Sequence, residues 1–211
     1  MTVVLSLPAL IGIIKWLEFR KALIIFVVLG VFAYIIEAIG IITHFPYGNF
    51  NYNDNVGLLI FDFIPLTLPF AWIPLLIGSI ALSLKYKNNV FKFYASTILW
   101  LIGIDLVLDP GAVYLRFWQY MSKGIWYGVP ISNYFGWVLS GTIGFLIFIY
   151  LIKNQKKSPP TYIAYSYFMS LIFWSGVCFF SQIWGGFIVG VILLFYILKQ
   201  HASYLSSKAE Y

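Results

Sequence analysis

Long apolar runs dominate the chain, and its polar residues lie mostly between them. A helix needs about 20 consecutive apolar residues to cross the hydrocarbon core of a bilayer. Six runs approach or exceed this length: 22–44, 56–84, 93–109, 134–152, 161–180 and 182–198. The pattern therefore predicts an all-α fold, a polytopic transmembrane helical bundle with six long spans, in one integral membrane domain over residues 1–211.

The first apolar segment, residues 2–14, is shorter than these runs and contains Pro8. Two placements are open for it: a seventh span, or a helix that lies in the membrane interface. It lacks a basic leader and a small-residue cleavage site. We therefore do not interpret it as a signal peptide that is removed.

The composition agrees with a membrane protein. Hydrophobic residues make up 62% of the 211 residues and charged residues 9%, whereas a soluble domain carries about 25% charged residues. The formal charge of +6 is better explained by basic loops that anchor the protein to a membrane than by nucleic-acid binding. Cys178 is the single cysteine, which excludes an internal disulfide.

The basic residues predict an orientation. Eleven of the 13 Lys and Arg residues fall on one side if the six spans alternate. These are Lys15, Arg20, Lys21, Lys85, Lys87, Lys92, Lys153, Lys156, Lys157, Lys199 and Lys208. Only Arg116 and Lys123 fall on the other side. The positive-inside rule makes the eleven-residue side, with the C-terminus, cytoplasmic, so that loops 45–55 and 110–132 face outward.

Three carboxylates are the candidate catalytic residues. Glu37 lies about two turns before the outer end of its span, and Asp105 and Asp109, four residues apart, share one helix face. Ionisable groups within spans are costly and usually face a cavity or the bundle interior. Burial disfavours the charged form, and a protonated carboxyl in an apolar cavity can act as a general acid.

Structural roles remain open for the same carboxylates. Glu37 can pair with a neighbouring helix or extend toward water. Asp109 precedes Pro110, where a helix tends to stop, and can simply fix that turn.

Six further residues are candidates for substrate binding: His44, Asp62, Trp118, Tyr127, Asn133 and Trp137. Each has a structural alternative. His44 can serve the last carbonyls of its helix, Asp62, placed two turns into the second span, can be structural, and Asn133 can cap a helix that starts at Tyr134. The aromatic residues can anchor the protein at the interface, or they can surround a flat, apolar or cationic ligand.

Several familiar chemistries have no motif here. The sequence contains no GxxxxGK[ST] loop, no HExxH pair and no GxSxG elbow. Two histidines are too few for a histidine-rich metal site. If the protein is an enzyme, we expect a reaction run on acids and water, with no cofactor and no metal.

An ordered set of short blocks between residues 34 and 140 resembles a known family. The blocks are Glu-Ala-Ile-Gly at 37–40 with Thr43, Phe-Pro-Tyr-Gly at 45–48 with Tyr52, Pro65 to Pro69 with Ala-Trp at 71–72, Asp-Leu-Val-Leu-Asp-Pro at 105–110 with Trp118, Tyr-Gly-Val-Pro at 127–130, and Asn-Tyr-Phe-Gly-Trp at 133–137. The chain resembles the carotenoid biosynthesis membrane proteins, which include the carotenoid 1,2-hydratase and the bisanhydrobacterioruberin hydratase of bacteria and archaea.

This resemblance implies hydration of a terminal isoprenoid double bond in a carotenoid precursor. A carboxylic acid would protonate the alkene, and water would capture the tertiary carbocation to give a tertiary alcohol. The implied partners are a lipophilic polyene substrate, the bilayer of a prokaryotic cytoplasmic membrane and other carotenoid-synthesis enzymes, with no nucleic acid. His44 and Arg116 depart from the family pattern, which puts the particular substrate in question.

Two other functions remain open. An acid-initiated isoprenoid isomerase or cyclase would use the same carboxyl without capturing water. A proton-coupled transporter or lipid-binding membrane protein would use the acids to carry protons. The mass of the product separates hydration from isomerisation, because only hydration adds one water molecule.

Overall fold

The computed structural model describes residues 1–122, 124–157 and 159–209, with side chains up to residue 199. Lys123 and Glu210 lie outside the described residues, as does the side chain of Lys208. The helices are α1 (Thr2–Leu17), α2 (Phe19–Thr43), α3 (Leu68–Ser83), α4 (Val90–Tyr114), α5 (Ile131–Ile152), α6 (Tyr165–Phe180) and α7 (Trp184–Ala209). Three single turns of 3-10 helix are Asp54–Val56, Leu84–Tyr86 and Thr161–Ala164.

In the described residues, four short strands lie in the connections between the helices. They are β1 (Phe50–Tyr52), β2 (Leu59–Ile60), β3 (Ile64–Pro65) and β4 (Trp118–Tyr120). β1 pairs antiparallel with β4, and β2 pairs antiparallel with β3 as a hairpin. The β1–β4 pair joins the connection after α2 to the connection after α4.

The helical bundle predicted from the apolar runs is confirmed in outline. Five helical segments of the described chain are long and apolar enough to cross a membrane: Phe19–Thr43, Leu68–Tyr86, Val90–Tyr114, Ile131–Ile152 and Thr161–Phe180. Thr2–Leu17 and Trp184–Lys199 are apolar but shorter. The protein is a helical integral membrane protein.

The predicted second span was wrong at its beginning. Helix α3 starts at Leu68, and residues 56–67 form the end of a 3-10 turn and the β2–β3 hairpin. Phe61 and Asp62 adopt positive φ angles of 52° and 63° in the hairpin turn, a conformation that no helix accommodates. Pro65 lacks the N–H that a helix would need there.

The expected helix stop before Pro110 was also wrong. Helix α4 continues through Pro110 to Tyr114. Proline lacks the N–H that would otherwise bond to the carbonyl four residues earlier, at Leu106. The indole Nε1 of Trp126 donates to that carbonyl at 2.9 Å, so the helix passes the proline without an unpaired acceptor.

Helices α3 and α4 form the centre of the bundle. α3 packs against α1, α2, α4 and α6, and α4 packs against α5, α6 and α7 as well. Leu76 of α3 and Leu101 and Ile104 of α4 are fully buried. These two helices therefore carry the core, and most of the large exposed apolar side chains lie on the helices around them.

The two ends of the bundle differ in their structure and in their basic residues. The β1–β4 pair brings loops 45–55 and 110–132 to the same end, as the alternating spans predicted. At the other end, the indole of Trp16 donates to the carbonyl of Lys157 at 2.8 Å, and the ammonium of Lys85 donates to the hydroxyl of Tyr196 at 3.0 Å. The bundle thus has a loop end, which carries the small sheet, and a basic end.

Candidate active site

Two aspartates of α4 meet an asparagine of α5 near the loop end. Asp105 and Asp109 lie one turn apart on the buried face of α4, with 0% and 2% exposure. The Asn133 side-chain amide donates to Oδ2 of Asp105 at 2.9 Å and to Oδ2 of Asp109 at 2.6 Å. The two protons of one amide nitrogen therefore hold both carboxyl groups in place.

The prediction that Asn133 caps a helix starting at Tyr134 was wrong. Helix α5 begins at Ile131, with Pro130 in the extended conformation at the capping position. The backbone N–H of Asn133 donates to the carbonyl of Pro130 at 3.1 Å, so the first turn closes before Tyr134. Asn133 is thus inside the first turn, and its side chain points toward α4.

Strand β4 supplies two more donors to Asp109. The Trp118 indole Nε1 donates to Oδ1 at 2.8 Å, and the Tyr120 hydroxyl donates to Oδ2 at 2.9 Å. Residues two apart on a strand face the same side, so both side chains reach one carboxyl group. With Asn133, Asp109 accepts three hydrogen bonds, which stabilise a buried carboxylate.

Glu37 accepts a hydrogen bond from β1, the strand that pairs with β4. The Tyr52 hydroxyl donates to Oε1 of Glu37 at 2.6 Å, and Tyr52 pairs in register with Trp118 of β4. Burial first, and then the nearby Glu37, raise the pKa of the Tyr52 phenol well above its ordinary value. Tyr52 therefore remains a neutral donor across the physiological pH range.

Two glycines make room for a tyrosine that closes the site. The ring of Tyr47 lies against Gly40 of α2 and Gly136 of α5, where a Cβ atom on either glycine would collide with it. Tyr47 is 6% exposed and stacks edge-on against Phe50 at a centroid distance of 6.2 Å. The two glycines and the Phe-Pro-Tyr-Gly block thus belong to one packing unit beside the carboxyl groups.

A cavity of about 340 Å³ opens onto this cluster. Glu37, Asp109 and Asn133 line it, whereas Asp105 lies behind Asn133 and does not. Oδ1 of Asp105 is buried without a hydrogen-bond partner. The aromatic residues of the cavity wall are Tyr47, Phe50, Tyr52, Phe70, Trp72, Phe117, Trp118, Tyr120, Trp137 and Trp174.

The structure brings together six of the nine residues predicted for the site. Glu37, Asp109, Asn133, Trp118 and Trp137 line the cavity, and Asp105 supports it from behind. The remaining three lie elsewhere.

His44, Asp62 and Tyr127 are placed away from the cluster. His44 is exposed at the end of α2 with a φ of 64°, which agrees with the expected position at a helix end. Asp62 is exposed in the β2–β3 turn rather than within a span. Tyr127 is 44% exposed, and its hydroxyl accepts a hydrogen bond from the Gly185 amide at 2.8 Å.

Sequence reasoning did not assign Tyr52, Tyr120, Trp72 or Trp174 to the site. Tyr52 and Trp72 belong to the blocks that carry the family resemblance, which was a usable signal. Tyr120 depends on the β1–β4 pairing, which three-residue strands do not reveal in a sequence. Trp174 lies on α6, a helix without a matching block.

The donor set does not form a metal site of the usual kind. Within the described residues, no group of three or more His, Cys, Asp or Glu residues is arranged to hold a metal ion. The cluster instead combines buried carboxyl groups with hydroxyl, amide and indole donors. Such a set can give and accept protons beside an apolar cavity.

Comparison with known proteins identifies the family of the chain. The family model for carotenoid biosynthesis protein matches residues 1–197. The bisanhydrobacterioruberin hydratase of Haloarcula japonica is 32% identical over 201 residues, which cover 91% of this chain and 68% of the relative. No solved structure matches the chain. The matched region contains every residue of the carboxyl cluster, and the chain belongs to the carotenoid biosynthesis protein family.

Proposed function

We propose that the protein is a carotenoid hydratase that adds water across a terminal isoprenoid double bond of a carotenoid precursor, without a cofactor. The observation that carries the proposal is the apolar, aromatic cavity with two buried carboxyl groups in its wall, Glu37 and Asp109. The relative from Haloarcula japonica is named for hydration of a polyene. The cavity chemistry and the name of that relative point to the same reaction.

Glu37 is the proposed general acid. It is 8% exposed and accepts one hydrogen bond, from Tyr52, so its other oxygen can carry a proton toward the cavity. The π electrons of the alkene take this proton and form a C–H bond at the less substituted carbon. Glu37 becomes a carboxylate, and a tertiary carbocation forms at the neighbouring carbon.

Asp109 is the proposed base and stabilising anion. Its three donors, Trp118, Tyr120 and Asn133, favour the carboxylate form at the cavity wall. A water molecule forms a C–O bond with the carbocation and transfers one proton to Asp109. Return of this proton to Glu37 restores the starting state, so the net change is alkene plus water to tertiary alcohol.

The aromatic wall protects the carbocation. Trp72, Trp137 and Trp174 line the cavity together with the carboxyl groups, and the faces of aromatic rings attract cations. The same rings exclude bulk water, which limits capture to a water molecule positioned by the polar cluster. Asp105 acts as a positioning residue, because it reaches the cavity only through Asn133.

We further propose seven membrane crossings with the basic end cytoplasmic, in a prokaryotic plasma membrane. Met1 and Thr2 line the cavity at the loop end with Asn55 and Trp118, whereas Trp16 reaches Lys157 at the basic end. Helix α1 thus runs from the loop end to the basic end, which supports a seventh crossing, and α7 would return the chain to the basic end. Other carotenoid-synthesis enzymes of the same membrane are the proposed partners, since they handle the same insoluble polyenes.

Pigment analysis in a carotenoid-producing host tests the function. We would express the protein in cells that accumulate bisanhydrobacterioruberin or lycopene and analyse extracts by liquid chromatography and mass spectrometry. A more polar pigment, heavier by one water molecule per modified end, is expected. A product of unchanged mass would contradict hydration and indicate isomerisation or cyclisation, and an unchanged profile with folded protein in the membrane would refute both.

A further inference from the structure

A second cavity lies at the basic end, far from the carboxyl cluster. It is a groove of about 590 Å³ between α4 and α7, and its mouth is formed by the turn that follows α3. Lys85 and Lys92 stand at this mouth, and Ser96 lies one turn further along α4. The groove shares no lining residue with the reaction cavity.

The mouth of the groove is positively charged. The Lys85 ammonium lies 4.8 Å from the ring centroid of Tyr86 and 5.0 Å from that of Tyr196. It also donates a hydrogen bond to the Tyr196 hydroxyl. The described residues that line the groove include no carboxylate. Of the acidic residues in the described chain, only Glu18 is assigned to this end, so the two lysines offer an unneutralised site for an anion.

The rest of the groove is apolar. Its wall consists of Phe91, Ala95, Leu99, Trp100, Ile192 and Leu193. Leu99 is 71% exposed and Ile192 is 60% exposed. Leu99 lies seven residues beyond Lys92 on α4, or about 10 Å along the helix. The charged mouth and the apolar wall of the groove are therefore separated by less than the thickness of one leaflet.

We infer that this groove binds an anionic phospholipid. The phosphate would lie between Lys85 and Lys92 and accept a hydrogen bond from the Ser96 hydroxyl, with an acyl chain along Leu99 and Ile192. A zwitterionic lipid would bring its own cation to a mouth that already holds two, so the charge pattern favours a net negative headgroup. Because the lipid contacts both α4 and α7, it would hold the last helix against the centre of the bundle.

Native mass spectrometry of the purified full-length protein, titrated with phosphatidylglycerol or phosphatidylcholine, tests the site. We expect one phosphatidylglycerol to bind more tightly than phosphatidylcholine. The double variant Lys85→Gln, Lys92→Gln should bind phosphatidylglycerol roughly 30-fold more weakly, since each lysine near a membrane surface contributes about a factor of five. Its affinity for phosphatidylcholine should not change.

A matched control removes the same charge at the same end. Lys156 and Lys157 are exposed and do not line the groove, so Lys156→Gln, Lys157→Gln should leave phosphatidylglycerol binding within twofold of the wild type. An equal loss in this control would overturn the site in favour of general attraction to a basic surface. Equal wild-type affinity for both lipids would overturn it as well.

A second variant keeps both lysines and blocks the apolar wall. Leu99 faces outward, so Leu99→Trp should fold and fill the groove where the acyl chain would lie. We expect at least a tenfold loss of phosphatidylglycerol binding. Unchanged binding in this variant would contradict the inference, whatever the lysine variants do.

Discussion

The two carboxyl groups in the cavity wall differ in their hydrogen-bond partners. Glu37 accepts one hydrogen bond and Asp109 accepts three. Fewer donors favour the protonated form of Glu37, whereas three donors favour the carboxylate form of Asp109. The proposed division into an acid and a base rests on this difference.

This division predicts the effect of neutral amides at the carboxyl positions. Glu37→Gln keeps the shape and the Tyr52 contact but removes the proton, and we expect hydration to fall by about 10²- to 10⁴-fold. Asp62→Asn makes the same change at an exposed acid outside the cavity and should retain full activity. Product formation by pigment analysis measures both, and comparable loss in the two variants would contradict the assignment.

Asp105 should behave as a positioning residue. It does not line the cavity and contacts it through a hydrogen bond from Asn133, so Asp105→Asn should lower kcat about tenfold and leave KM close to the wild-type value. Kinetic assays in membranes distinguish these parameters. A rise in KM with an unchanged kcat would show instead that Asp105 contributes to binding the polyene.

The sequence singled out the acids and two of their hydrogen-bond partners, Trp118 and Asn133, but not Tyr52 or Tyr120. A carboxyl group within a span is costly, so Glu37, Asp105 and Asp109 stand out without any structure. Tyr120 has no such signal, because aromatic residues are expected at any membrane interface. Its role follows only from the pairing of β1 with β4, a contact between segments more than 60 residues apart in the chain.

At the scale of elements, glycines decide how closely the helices approach the site. Tyr47 fills the space between α2 and α5 only because Gly40 and Gly136 have no side chains. The predicted helix stop at Pro110 and the predicted long second span were wrong because each prediction considered only the local sequence. At Pro110, the Trp126 indole donates to the carbonyl that the proline leaves unpaired. In the second span, the turn at Phe61 and Asp62 precedes the helix.

A glycine pair tests the packing around Tyr47. Gly136→Ala should lower the melting temperature and the activity together, because the new methyl group overlaps the Tyr47 ring and overpacking typically costs about 1–3 kcal/mol. Gly176→Ala is the matched control, since nothing lies within 4 Å of the added Cβ atom. Thermal unfolding in detergent should show Gly176→Ala to be neutral or stabilising; an equally neutral Gly136→Ala would contradict the packing role.

The passage of α4 through Pro110 gives a second prediction at this scale. Trp126→Phe leaves the Leu106 carbonyl without its indole donor, which should destabilise the protein by about 1–3 kcal/mol. Adding Pro110→Ala restores a backbone N–H for that carbonyl and should recover part of the loss. Chemical denaturation of the two single variants and the double variant measures the coupling, and strictly additive effects would show that the indole has another role.

Across the whole molecule, chemistry and charge are at opposite ends. The carboxyl cluster and the small sheet lie at the loop end, and most basic residues of the described chain lie at the other. Orientation in a membrane follows the basic residues, so it also decides which leaflet the reaction cavity faces. The proposed topology therefore has a functional consequence: the polyene end group would be hydrated on the outer side.

The number of crossings can be tested through the N-terminus. Seven crossings place Thr2 outside and Lys156 inside, whereas six spans with an interfacial α1 place both inside. Cys178 is buried, so single cysteines introduced as Thr2→Cys and Lys156→Cys can be labelled selectively with a membrane-impermeant maleimide. In intact cells we expect labelling at position 2 only, and at both positions after the membrane is opened. Labelling of neither variant in intact cells, together with labelling of both in opened cells, would place α1 in the interface and refute the seventh crossing.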